Sequence, residues 1–321
     1  MNRLILIDGN AVLHRAYHAI PPLTSPDGTL VNAVYGFATM LLRLHKDLRP
    51  THIAVAFDRP KPTFRKKLFK EYQATRPKMD DELVGQIEKV HELVRAFKIP
   101  IFEKDGFEAD DVIGTLTTKL HESDIDQVII VTGDRDILQL VRDDKILVYM
   151  PTKGLSEAKL YHEADVKERL GVDPTHIADY KGLAGDASDN YPGVEGIGPK
   201  TAVSLIETFG SVENVYKALQ KKDKRMSVVS ASVVEKLKAG EKSAALSKDL
   251  ATIRTDVSLE ESLKDSSISS LDTPAARQLF SDLHFHSLLK RLETGDVPDK
   301  KVQQKKVVEE KKKQGEQQQL F

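Results

Sequence analysis

The chain has 321 residues, which suggests roughly two domains at about 100–200 residues each. Its 48 Lys and Arg against 49 Asp and Glu give a formal net charge of −1, which argues against a uniformly basic nucleic-acid coat protein or an acidic tail protein. With no cysteine, disulfide frameworks, thiolate metal sites, iron–sulfur clusters and cysteine nucleophiles are excluded.

The N-terminal apolar run meets an acid at Asp8, too soon for a signal peptide. No run approaches the roughly 18 apolar residues of a membrane span, so a soluble, cytoplasmic protein is expected. Short β-branched stretches predict buried parallel strands over Leu4–Ile7, His52–Phe57, Ile99–Phe102, Val128–Val131 and Ile146–Tyr149. Helical patterns fall between them over Ala33–Leu48, Glu82–Phe97 and Ala109–Leu120. Strand alternating with helix implies an α/β fold with a central, mostly parallel sheet. Residues 59–78 break the rhythm with eight basic residues, a single acid and the interleaved rings Phe64, Phe69 and Tyr72. Past about residue 175 helices take over, at Thr201–Phe209, Val212–Leu219, Val233–Ala239, Ala244–Leu250 and Ala275–Leu283. From Gly295 onward Lys, Gln and Glu dominate, a composition that forms no core. The expected organisation is a core over 1–175 with a basic segment at about 59–85, a helical region over 176–294 with a hairpin at about 190–210, and a disordered tail over 295–321.

The chemistry is written in the acids. Asp8 follows the first strand, Asp58 the second, and Asp134 and Asp136 follow Val128–Val131 in Thr-Gly-Asp-Arg-Asp. Sites in open α/β sheets lie outside the carboxyl ends of the strands, so these carboxylates share one crevice. Glu108, Asp110 and Asp111 open a helix, where the helix dipole favours ionised acids. Asp186 and Asp189 sit in Gly-Asp-Ala-Ser-Asp-Asn, just before the helical half. Single acids at such places are ordinary caps and turn residues; nine converging are not. Crowded carboxylates raise one another's pKa unless counter-charge is supplied. Oxygen-only donors suit Mg²⁺ or Mn²⁺, and two such ions roughly 4 Å apart form the arrangement that cleaves phosphodiesters.

Competing motifs fail. A haloacid-dehalogenase-like phosphatase needs an acid two residues after the first, where Asn10 stands. A P-loop reading of 193–201 is interrupted by Pro199 and follows no strand. The ten histidines are scattered, leaving no His-based metal site in view, and no nucleophile elbow is present.

Two elements suit nucleic acid. The sequence from Gly193 to Ala202 fits a hairpin between helices, with Gly196 and Gly198 letting amides approach a phosphate and Lys200 at the next helix start. Such contacts position a duplex without reading its sequence. The basic segment combines cations with rings, as a single-strand binder does. Arg15, a bidentate donor in the helical element that follows Asp8, is suited to clamp a phosphate.

Taken together, Leu-Ile-Asp-Gly-Asn, Phe107-Glu108-Ala109-Asp110-Asp111, Thr-Gly-Asp-Arg-Asp, Gly-Asp-Ala-Ser-Asp-Asn and Gly-Val-Glu-Gly-Ile-Gly-Pro-Lys-Thr-Ala resemble the flap-endonuclease family. Within it the match is to the 5′-nuclease domain of bacterial DNA polymerase I in free-standing form, over about residues 1–293. The resemblance implies a PIN-like core and a metal-dependent nuclease that cuts 5′ flaps and removes 5′ ends, RNA primers included, near the bacterial nucleoid. By motif, Asp8, Asp58, Glu108, Asp110 and Asp111 resemble ligands of a first metal region, and Asp134, Asp136, Asp186 and Asp189 those of a second. Residues 59–85 resemble the helical arch that a 5′ strand enters, with Arg65, Tyr72 and Arg76 at matching positions. Arg15 and Lys181 match basic residues near the scissile phosphate, and the glycine hairpin resembles a helix-hairpin-helix, often with K⁺ bound. Many relatives carry lysine directly after the arch tyrosine, where this chain has Gln73, leaving Lys70 or Arg76 to supply the cation. The C-terminal Gln317, Leu320 and Phe321 resemble the bacterial sliding-clamp-binding peptide. Branched or 5′-ended DNA and RNA–DNA hybrids are the implied substrates. A non-catalytic flap or junction binder would have lost several of the acids, all of which are present. A PIN-like RNA nuclease would lack the hairpin and the long arch.

Overall fold

A computed structural model describes residues 1–122, 124–153, 157–260 and 262–294. Six strands form one sheet in the order β3-β2-β1-β4-β5-β6: β1 Arg3–Asp8, β2 His52–Ala56, β3 Ile101–Phe102, β4 Gln127–Val131, β5 Ile146–Lys153 and β6 Glu157–Tyr161. All neighbours pair in parallel except β6, which runs antiparallel at the edge. The central strands are apolar on both faces because both are covered. Leu4, Leu6, Val128 and Ile130 enter one core, whereas Ile5, Ile7, Ile129 and Val131 enter the other.

On the second face lie α1 Gly9–Ala19, α2 Asn32–Leu48 and α5 Ile87–Ala96. On the first lie α6 Ala109–Thr118, α8 Ile177–Ala184, α9 Pro199–Phe209, α10 Val212–Gln220 and α11 Ala231–Ala251. The predicted helical region does not stay on one side. The C-terminal helices α12 Pro274–Asp282 and α13 His286–Thr294 return to the second face, where Ala276, Phe280, Phe285 and Leu288 join its core. Two short helices, α3 Phe64–Leu68 and α4 Asp81–Val84, flank the turns of the basic segment, and α7 Glu163–Leu170 follows β6. Among the described residues no helix is long and apolar enough to cross a membrane. The tail, with Gln317, Leu320 and Phe321, lies outside the described residues.

Candidate active site

The carboxyl ends of β1, β2 and β4 converge on a cleft of about 1210 Å³ lined by Asp8, Asp58, Glu108, Asp110, Asp134, Asp136 and Asp189. Local chemistry fixes each one. Asp8 ends β1 and caps α1, accepting from Ala11 N at 3.0 Å and from the Thr132 hydroxyl at 2.6 Å. Asp58 accepts from Ala109 N at 2.7 Å, which ties β2 to the start of α6. Asn10 Oδ1 in turn accepts from Asp58 N at 2.8 Å. Asp134 Oδ1 accepts from Asp136 N at 2.8 Å. Asp136, Asp186 and Asp189 form a group whose carboxylate oxygens lie within 4.8 Å of one another.

This crowding is electrostatically costly. Burial pushes the Asp8 carboxyl up to about 7, with Asp58 and Asp134 adding to the push. Burial likewise lifts Glu108 to about 7 and Asp136 to about 6, against opposing pulls from Arg65 and Lys181. Asp110 is raised well above the carboxylate range by burial and by Asp134 and Asp8. Like charges in a desolvated site disfavour joint ionisation, so this donor set fits hard divalent cations, which prefer oxygen ligands. Among the described residues Arg65, Lys181 and Arg76 supply counter-charge, Arg65 lying 3.3 Å from Glu108. The Lys181 ammonium bridges Asp136 and Asp186, at 2.5 Å from the latter. Burial alone would raise the Asp186 carboxyl, but Lys181 and Ser188 hold it below the usual range. Arg76 Nη2 lies 2.5 Å from Asp189 Oδ1.

Two family models span most of the chain: "5′-3′ exonuclease, N-terminal resolvase-like domain" over residues 3–171 and "5′-3′ exonuclease, C-terminal SAM fold" over 172–274. The chain belongs to the 5′-3′ exonuclease family. Among curated relatives, DNA polymerase I of Caldicellulosiruptor bescii is 40% identical over 296 residues, 92% of this chain and 34% of that protein. DNA polymerase I of Bacillus subtilis is 41% identical over 290 residues, 90% of this chain and 32% of that protein. The chain thus spans about a third of the length of these relatives. Among solved structures, T5 5′-exonuclease with zinc bound has a TM-score of 0.65 at 20% identity, covering 92% of this chain and all of that one. The catalytic core of Rad2 in complex with a DNA substrate has a TM-score of 0.59 at 17% identity, covering 91% of this chain and 92% of that one.

In this member of the 5′-3′ exonuclease family two of the expected site residues pair with each other. Asp111 does not face the cleft. It is fully buried and forms a bidentate pair with Arg65 at 2.7 and 2.9 Å, and it also accepts from Glu108 N and Arg254 N. Its position three residues after Glu108 makes it the return half of a capping box, so its oxygens are spent on the scaffold. Arg65, expected to meet the entering strand, lies at the cleft lining with its guanidinium turned to Asp111. It is 3% exposed and also donates to Leu250 O and Thr252 O, joining α3, α6 and the end of α11.

The rings of the basic segment also turn inward. Tyr72 is buried, with its hydroxyl 3.2 Å from Glu108 Oε2 and 3.4 Å from Asp189 Oδ2, and its ring stacks at 15° on Tyr191. Phe64 packs beneath the guanidinium groups of Arg65 and Arg254. Arg59 and Lys61 are paired with Glu103 and Asp105, while Lys67, Lys70 and Lys78 stand exposed. Gln73 adopts φ +55°, donates its backbone N–H to Asp189 O at 2.8 Å and leaves the charge on Asp189 to Arg76.

Arg15 lines the cleft from α1, whereas Asp186 and Lys181 are not among the lining residues and adjoin it through Asp136. In the hairpin Gly196 has φ +75° and Gly198 caps α9, with Lys200 exposed beside it. Thr132 and Tyr191 were not singled out from the sequence. Thr132 sits at the head of the Thr-Gly-Asp motif, which signals it, whereas nothing in the pattern marks the stack of Tyr191 on a ring more than 100 positions earlier.

Proposed function

We propose that this protein is a structure-specific 5′ nuclease, a 5′-3′ exonuclease and 5′-flap endonuclease that hydrolyses phosphodiesters in RNA primer removal and DNA repair. The observation that carries the reading is the set of seven carboxylates, drawn from separate strand ends and helix starts, around one cleft beneath a basic segment. Asp8, Asp58, Glu108, Asp110, Asp134, Asp136, Asp186 and Asp189 are the residues to hold Mg²⁺ or Mn²⁺. When bound, such ions make water a better nucleophile and neutralise the leaving oxygen. The protein's own part is to fix the carboxylates through Thr132, Asn10 and the α6 N-terminus, and to place cations beside them. Arg15 on the cleft wall suits a bidentate grip on the scissile phosphate. Lys181 and Arg76, each now holding a carboxylate, are long enough to turn to phosphate oxygens as substrate charge enters.

Duplex DNA or an RNA–DNA hybrid docks on Gly196, Gly198 and Lys200, where a helix start and backbone amides suit a phosphate. K⁺ at this hairpin belongs to the same reading, using carbonyls other than that of Gly196, which already accepts from Lys236 Nζ at 3.0 Å. Binding of the sliding clamp through Gln317, Leu320 and Phe321, and work near the nucleoid, complete the proposal. The deciding experiment is cleavage of labelled 5′-flap DNA in Mg²⁺. EDTA and Asp134→Asn should each abolish cutting, with flap binding still measurable in the variant. EDTA-resistant cleavage would overturn the reading.

A further inference from the structure

Outside the carboxylate cluster, the histidines do not all remain scattered. His14 and His18 stand one turn apart on α1, both exposed at the mouth of the cleft. Their Nε2 atoms lie 3.3 Å apart, with ring centroids at 4.4 Å and planes at 63°. A hydrogen bond across this gap requires at least one neutral imidazole, and neutral imidazole is a metal ligand. The spacing is also that of a chelate: two nitrogens about 2.0–2.1 Å from one tetrahedral ion stand about 3.3–3.4 Å apart. The terminal torsion of histidine is broad, so small rotations aim both lone pairs at a common point. Burial and the neighbouring His18 hold His14 below the usual imidazole range, while Asp80, which also lines the cleft, pulls the other way.

We infer that His14 and His18 form a two-imidazole site for one borderline divalent transition metal of the zinc class, with Asp80 supplying nearby negative charge on the same cleft. Imidazole pairs select zinc-class ions over Mg²⁺, which prefers all-oxygen ligation. Asp80 directly precedes α4 at the far end of the basic segment, and its charge is felt at His14. The inference is independent of nuclease activity, because its test reads metal binding alone.

The experiment is Zn²⁺ titration of the untagged full chain against a chromophoric chelator in millimolar Mg²⁺. Wild type is compared with the double variant His14→Gln/His18→Gln, with Asp80→Asn and with Asp134→Asn. The double variant is expected to lose one Zn²⁺ equivalent, with at least tenfold weaker binding at that step. Asp80→Asn should weaken the step several-fold, and Asp134→Asn should keep it. Both histidines are exposed, so circular dichroism should report an unchanged fold. Independently, one equivalent of Zn²⁺ should shift the ring signals of His14 and His18 in the NMR spectrum of the wild type. Unchanged stoichiometry and affinity in the double variant, or ring signals that do not move, would overturn the inference.

Discussion

The buried pairing of Asp111 with Arg65 has a quantitative consequence for stability. Asp111→Ala leaves a buried guanidinium without its bidentate partner and strips the acceptor from two backbone donors, Glu108 N at 3.0 Å and Arg254 N at 2.8 Å. Arg65 keeps its bonds to Leu250 O and Thr252 O and its ion pair with Glu108 at 3.3 Å, which moderates the loss. Removing one partner of a buried pair costs about 3–5 kcal/mol. At about 2–4 °C per kcal/mol for a chain of this size, Tm should fall by roughly 6–20 °C. Asp134→Asn should behave in the opposite way. Asp134 raises the carboxyls of Asp8, Asp58, Asp110 and Asp136, so its neutralisation relieves repulsion. The metal-free Tm should hold or rise, and the Mg²⁺-induced increase in Tm should be lost. The assay is differential scanning calorimetry of both variants in EDTA and in Mg²⁺. If Asp111→Ala kept the wild-type Tm in EDTA but lost the response to Mg²⁺, Asp111 would be a ligand after all.

Three further outcomes are expected. In EDTA, stability should decline as pH rises from about 4.5 to 7. Asp8 and Glu108 titrate near 7 and Asp136 near 6 in the folded chain, so over that window the native state binds more protons than the unfolded chain. Tm measured across that range, with the Mg²⁺-induced increase larger at the alkaline end, checks the sign; a flat metal-free profile contradicts it. Gly193→Ala should destabilise by about 2–5 kcal/mol, because Gly193 has φ +63° and an added Cβ would lie 2.2 Å from Gly185 N; urea unfolding measures this. Flap-DNA affinity should fall steeply with salt, and Lys200→Ala should reduce the slope of log K against log[salt] by about one, as fluorescence anisotropy over a salt series would report.

What the sequence disclosed, and what it hid, divides by range. The five parallel strands were legible because burial on both faces leaves a continuous apolar run, whereas β6 was not. It is an antiparallel edge with Glu157 and Lys159 among its residues, and it is largely half-exposed. The expected helix over Glu82–Phe97 is two helices. Between them the buried Gln86 accepts from Ala33 N at 2.8 Å and donates to Asn32, a long-range anchor that no local periodicity encodes. Gly240 reads as a break between two helices, yet α11 runs through it without interruption. A Cβ there would lie 2.7 Å from the Val194 side chain, so the glycine makes room for the hairpin rather than ending the helix.

The same division explains the site. Acids at strand ends are local features, and their convergence follows from the rule that strand ends share a crevice. Which acid faces inward is not local. Asp110 and Asp111 are adjacent and chemically alike, but adjacent side chains on a helix diverge by about 100°. The one nearer Arg65 becomes structural, and the other meets Asp134 and Asp8. The basic segment shows the complementary effect. Its charge was counted correctly, but Arg59, Lys61, Arg65 and Arg76 are each matched to an acid from another element. Part of the segment's charge is therefore spent on acids of other elements, and among the described residues the exposed Lys67, Lys70, Lys78 and Lys200 are cations that these pairings do not take up.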